Sequence, residues 1–278
     1  MITAGLALTS SALWGSADYL GGVLSRRRPA IEVVAVSQGI GLLAVWLLLL
    51  GTGTSIGRSD MLWGPLAGLA GGLALICFYS ALAVGTMGVV APIAALGLII
   101  PVLAGLLGGD DPGAVTLTGM AIAFAGVVLA SGPELSGGAS ARPILLAAVA
   151  GAGFGLTLLF LARGGEVLPT LAMMRVASVT LLGAVLLFLF ATRGSRLPRV
   201  PGRELPALTF VGLADLGANG LYALAEDSGL LSVVAVLASL YPAVTVVLAW
   251  RLGGARLARI QVVGVVAALA GVVLVGAG

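Results

Sequence analysis

The sequence contains no lysine and no histidine, a single cysteine, and few charges: Asp, Glu and Arg together make up 9% of its 278 residues, and aromatics 5%. Without lysine there is no phosphate-loop lysine and no Schiff base. Without histidine there is no imidazole metal site and no Ser-His or Cys-His triad. A lone Cys77 excludes an intrachain disulfide framework. All fourteen basic residues are arginine and the net charge is only +3, too small and too scattered for the basic face that a nucleic-acid partner requires. What remains is apolar: 60% of residues are hydrophobic and 43 are glycine. A soluble domain carries roughly 25% charge, so these side chains cannot clothe a surface facing water. The chain is expected to be an integral membrane protein whose first partner is the lipid bilayer.

A spanning helix needs about 20 mostly apolar residues, and irregular backbone cannot face lipid. Cutting the sequence at charges, Pro-Gly pairs and short polar runs gives ten apolar segments: 3–24, 31–50, 62–84, 87–108, 114–131, 143–162, 169–192, 205–226, 230–251 and 259–277. Runs such as 144–161 are apolar on every face, unlike the alternation of a lipid-facing strand, so an all-α membrane bundle of ten helices is predicted. The first segment has a polar middle (Ser10, Ser11, Ser16, Asp18) and no basic stretch before it. It is read as a retained helix, not a signal peptide.

The sequence repeats internally. Residues 108–132 align without gaps on 253–277, matching Gly108–Gly109 with Gly253–Gly254, Gly119 with Gly264 and Gly126 with Gly271. Upstream, Tyr79 resembles Tyr222 if a small gap is allowed. Each half then holds five spans, and an odd number inverts the second half: repeat 1 over 1–132, a polar linker over 133–142, repeat 2 over 143–278. Inverted repeats are typical of secondary transporters, with the substrate site between the halves. The alternative is a chance match between Ala-, Gly- and Val-rich helices. Eleven arginines fall in the loops after spans 1, 5, 7 and 9 and two (Arg58, Arg163) in the even loops, which predicts cytoplasmic odd loops and termini outside.

Gly64, Gly68 and Gly72 in span 3, and Ala147, Gly151 and Gly155 in span 6, are small residues four apart, suited to close helix packing. Pro92, Pro101 and Pro242 lie inside spans 4 and 9. Each removes a backbone donor, which predicts helix ends or breaks facing a cavity.

Three ionisable residues lie deep within spans: Asp18, Arg175 and Asp215. A charge there costs at least about 2.5–3.5 kcal/mol and should face the bundle interior or water. In span 8, Asp215, Asn219, Tyr222 and Glu226 follow the spacing i, i+4, i+7, i+11 and share one face, predicting a polar stripe that lines a wet pathway. The alternatives are a static hydrogen-bonded seam, with Glu226 and Asp227 solvated at the helix end, and a fixed Arg175–Asp215 ion pair. Burial favours a neutral carboxyl and a neighbouring arginine a charged one. A carboxylate whose surroundings change with conformation is therefore suited to exchanging a proton for a cationic substrate. Arg175 is suited to receiving the carboxylate of an anionic or zwitterionic one. Trp14, Tyr19, Tyr79, Tyr222 and Tyr241 are candidate ring contacts.

These residues carry a resemblance. "ALWGSADYLGG" (12–22) resembles the first-span signature of the EamA domain of the drug/metabolite transporter superfamily. The ending Gln261, Gly264, Gly271, Val272 and the "SLYP" of Ser239 to Pro242 resemble the same family. The resemblance implies ten helices in two inverted five-helix repeats and a secondary transporter, mostly an exporter, of amino acids, other metabolites or drugs. Ser239 becomes a site candidate through it, and Arg175 matches the arginine usual early in a repeat's second helix, where the first repeat has Ser37-Gln38. Ala255 stands where the family usually has an acid. Related ten-helix proteins keep their termini inside; the arginine count is retained here.

The expectation is a transporter working by alternating access, not an enzyme, with no cofactor, metal or catalytic set. Its partners would be a small-molecule substrate and a proton or counter-substrate, with a monomer sufficient, in a bacterial inner (plasma) membrane. The alternatives are a flippase for a lipid-linked sugar and an intramembrane lipid-modifying enzyme.

Overall fold

A computed structural model describes residues 2–131, 141–193, 201–252 and 258–277. Its described residues form helices and no strand: α1 Ile2–Ser25, α2 Ala30–Thr52, α3 Arg58–Val84, α4 Met87–Ala95, α5 Ile99–Gly108, α6 Ala114–Ser131, α7 Ala141–Leu161, α8 Val167–Arg193, α9 Leu205–Glu226, α10 Leu231–Ala238, α11 Tyr241–Arg251 and α12 Arg259–Ala277. Seven helical stretches are long and apolar enough to cross a membrane: α2, α3, α4 through α5, α7, α8, α9, and α10 through α11. α6 and α12 are apolar but shorter, and α1 is long enough but carries the polar middle noted above.

Helix ends follow from local chemistry. Gly53 (φ 67°) and Gly109 (φ 108°) close α2 and α5 in the left-handed region that favours glycine. Pro206 and Pro242 stand in the first turns of α9 and α11, where a missing N–H costs nothing. Arg142, expected in the linker, instead belongs with Ala141 to the first turn of α7; the following Pro143 is tolerated there because first-turn donors have no helical partner. The rest of that linker, together with Arg196, Arg199, Gly253, Gly254, Ala255 and Arg256, lies outside the described residues.

Spans 4 and 9 are each broken. A 3-10 turn over Leu96–Leu98 separates α4 from α5, and Ser239–Leu240 separates α10 from α11. Pro101 and Pro242 lack the N–H that would have bonded back to the residue four earlier, so both stretches come apart just before a proline.

Small residues set the packing. A methyl group added at Gly68 would overlap the Met174 carbonyl of α8, and one at Gly64 would meet Thr170 and Met173, so the glycine row of α3 faces α8. Gly151 and Gly155 of α7 face Ala94 and Gly97 in the broken span. α6 lies against α12 with Gly119 on Gly271 and Gly126 on Gly264 and Ala268. Elsewhere α1 packs on α9 and α11, α3 on α7 and α8, and α2 on α8 and α9.

Candidate functional site

The inner ends of these contacts surround a cavity of about 50 Å3 at mid-bundle. It has room for about three to five waters at the roughly 10–15 Å3 each requires, far below the roughly 300 Å3 of a drug-sized pocket. Its wall is drawn from α1, α2, α3, α7, α8, α9 and both broken spans. Trp14, Asp18, Gln38, Gly71, Leu75, Leu98, Phe154, Thr157, Leu158, Arg175, Ser178, Asp215, Asn219 and Tyr241 all reach it.

One side of the wall is a hydrogen-bonded unit. Arg175 of α8 is 1% exposed and pairs through NH1 with Asp215 Oδ2 of α9 at 2.8 Å. The same NH1 donates to Gln38 Oε1 of α2. Gln38 Nε2 in turn donates to Asp215 Oδ2 at 2.9 Å, and Ser178 Oγ donates to Gln38 Oε1 at 3.2 Å. Asn219 Nδ2 donates to the Asp215 carbonyl at 2.6 Å, one turn back. Gly41 borders the unit: a methyl there would sit 3.4 Å from Arg175 Nε, in ordinary van der Waals contact. Every charge in the unit has a partner, which is what a buried ion pair needs to persist.

Opposite stands Asp18. It is 6% exposed and forms no hydrogen bond or ion pair with any described residue. Donors without acceptors lie on the same wall: Arg175 Nε and NH2 and the Tyr241 hydroxyl are buried and unbonded among the described residues. The cavity thus holds two carboxyl groups, one guanidinium, spare donors, and the rings of Trp14 and Phe154.

Six of the residues singled out from the sequence line this cavity: Trp14, Asp18, Arg175, Asp215, Asn219 and Tyr241. Four do not. Tyr222 is fully buried, its ring 6.0 Å from Trp14 and its hydroxyl unbonded. Tyr79 is buried with its hydroxyl 3.5 Å from the Ala17 carbonyl. Tyr19 lies in the core, and Ser239 Oγ turns back to the Val236 carbonyl at 2.6 Å, bonding at the break in span 9. The stripe on α9 therefore does not form a wet path: Tyr222 packs against Trp14 and separates Asn219 from Glu226, because a large ring on the shared face is worth more in contact with another ring than in water.

The model of the EamA-like transporter family matches residues 141–277. Through this second half the chain is a member of the EamA family. That places it in the drug/metabolite transporter superfamily and makes it a multi-pass membrane protein of transporter type. A solved crystal structure shares the fold with a TM-score of 0.75 at 19% identity, over 98% of this chain and 95% of that one. No protein of curated function matches by sequence.

In this EamA member the sequence reading missed Gln38, Ser178, Phe154 and Thr157. Gln38 had a signal, since an amide in the middle of an apolar span needs partners as a charge does. Phe154 and Thr157 had none: nothing in an apolar run tells which face meets a cavity.

Proposed function

We propose that the chain is a secondary transporter that carries a small cationic or zwitterionic metabolite outward by alternating access between two inverted five-helix halves, 1–132 and 143–278. The observation that carries the substrate reading is Asp18, a carboxylate without a counter-ion facing a cavity whose other carboxylate is already paired with Arg175. With all three groups ionised the cavity has one net negative charge. A cationic group, or a proton, removes it. The free donors of Arg175 and Tyr241 suit a carboxylate on the same substrate, and Trp14 and Phe154 suit its apolar body. A space of about 50 Å3 favours a small solute over a lipid-linked sugar, and requires the bundle to open during the cycle.

Reciprocal contacts support the inverted repeat. Gly119 and Gly264 are equivalent in the repeat, as are Gly126 and Gly271; Gly119 meets Gly271 while Gly126 meets Gly264. Such an exchange is the signature of a two-fold axis crossing an antiparallel pair. The ring pairs follow it, Trp14 on Tyr222 joining spans 1 and 8 and Phe154 on Phe78 joining spans 6 and 3. On this reading Tyr222 corresponds to Phe78 and not to Tyr79.

The test is counterflow of labelled amines and amino acids in proteoliposomes as a function of pH. Asp18→Asn is expected to abolish the pH dependence, and Asp215→Asn to weaken transport while leaving the dependence. Unchanged pH dependence in both variants would refute proton coupling.

A further inference from the structure

Two acidic side chains outside the cavity tie helices together at the two ends of the bundle. Asp60 stands in the first turn of α3 and is 2% exposed. Its Oδ2 accepts from Gly57 N at 2.8 Å, fixing the helix start. Its Oδ1 accepts from Thr170 Oγ1 at 2.6 Å and Gly165 N at 3.0 Å, which belong to α8 and to the turn between α7 and α8. Neighbours reinforce the contact: Ser59 Oγ donates to the Arg163 carbonyl at 3.0 Å, and the Arg163 guanidinium lies 5.3 Å over the Trp63 ring.

At the far end, Glu204 immediately precedes α9 and accepts from Arg28 Nε in the turn between α1 and α2; Arg28 also reaches Glu32 at 3.4 Å. The two contacts lie at opposite ends because α2 connects them: it begins beside Arg28 and ends beside the start of α3. Its 23 residues span about 34 Å at 1.5 Å each.

The correspondence is specific. Asp60 and Glu204 each stand at the entry to the third helix of their half, and each grips the turn between the first two helices of the other half. We infer that they are the two gates of the transport cycle: the Asp60 contact must open for the cavity to reach one face, the Glu204–Arg28 contact for it to reach the other. This rests on the alternating-access reading above and adds to it the residues that choose the face. With both contacts made, the bundle leaves a cavity of only about 50 Å3, too small for a metabolite to pass. The gates differ in kind. Asp60 is dry and held by uncharged donors. Arg28 and Glu204 keep 19% and 14% of their side chains exposed, so salt screens the second gate and hardly touches the first.

The experiment places a single cysteine in the cavity wall, Leu75→Cys in a Cys77→Ala background, and follows its reaction with a membrane-impermeant maleimide applied separately to each face of oriented vesicles. Asp60→Ala is expected to raise the labelling rate about tenfold from the face that bears the α7–α8 turn and not from the other. Thr170→Val, which removes one hydrogen bond and no charge, should act in the same direction and carries the test if Asp60→Ala does not fold. Glu204→Gln, or added salt on the parent, should raise labelling from the opposite face only. Unchanged labelling in all variants, or an increase from the same face for both gates, would overturn the inference. Because labelling needs no substrate, opposite-face shifts without counterflow would refute the transport reading and leave the gates; counterflow with no shifts would do the reverse.

Discussion

The buried Arg175–Asp215 pair gives the sharpest quantitative expectation. Arg175→Gln keeps a long polar side chain but removes the cavity's single cation. Removing one partner of a buried pair costs roughly 3–5 kcal/mol in protein interiors. Here the Asp215 carboxylate retains the hydrogen bond from Gln38 Nε2 and one at 3.3 Å from Asn219 Nδ2, and its side chain is 13% exposed. Both features lower the cost, to about 3 kcal/mol. At about 2–4 °C per kcal/mol for a chain of this size, the apparent Tm in detergent should fall by about 6–12 °C. The second half of the argument is a rescue. In the Arg175→Gln background two carboxylates share the cavity with no counter-charge, so adding Asp18→Asn should restore about 1 kcal/mol, a coupling typical of neighbouring sites. Asp18→Asn alone leaves Asp215 paired and removes a buried carboxyl without a counter-ion, so it should leave the protein at least as stable as the parent. Thermal unfolding followed by tryptophan fluorescence measures all four proteins. An Arg175→Gln protein as stable as the parent, or one that Asp18→Asn does not rescue, would refute the charge accounting on which the substrate reading stands.

Two further expectations separate packing from chemistry. Gly97→Val drives a branched side chain into the Gly151 backbone and should abolish a monodisperse detergent-solubilised species, whereas Gly183→Ala, in open space on α8, should stabilise by up to about 1 kcal/mol; the two are compared by size-exclusion profile and Tm. A GFP fused at the C-terminus should not fluoresce if the arginine-poor loops and the termini lie outside, and bright fluorescence there would reverse the orientation.

The helix positions were legible because lipid imposes a length and an apolar composition together. The cut points at 25–30, 51–61 and 109–113 contain the loops at 26–29, 53–57 and 109–113. The breaks in spans 4 and 9 were legible from Pro101 and Pro242. Legibility failed where one helix face had to be chosen over another. α9 shows the reason: Asp215, Asn219 and Tyr222 share a stripe, yet the stripe is divided by Trp14 of α1, and no property of α9 itself announces that ring. Gln38 carried a signal, an amide inside an apolar span, but its partner Arg175 lies 137 residues away and only the fold brings the two together. The gates were invisible as gates. Asp60 and Glu204 read as ordinary charges near helix starts, and only the fold shows that each reaches across to the other half.

The proposed two-fold axis also explains why the site divides into a fixed part and a free part. In the proposed repeat α2 is the counterpart of α8; the two helices are in contact, which would put the axis between them, with Gln38 and Arg175 bonding across it. If the halves exchange conformations as proposed, a contact between equivalent positions on the axis can persist, and the Arg175–Gln38–Asp215 unit would serve as a pivot. Asp18 is different. The ring pairs match Trp14 with Phe154, and the residue four beyond Phe154 is Leu158, which also lines the cavity. What the first half presents as a carboxylate, the second presents as an apolar side chain. An exchange of conformations must then change the surroundings of Asp18, which is the property that coupling requires. The pivot should accordingly govern stability and Asp18 the pH dependence of transport. Leu158→Asp, by making the two halves alike at this position, should weaken coupling without breaking the pivot.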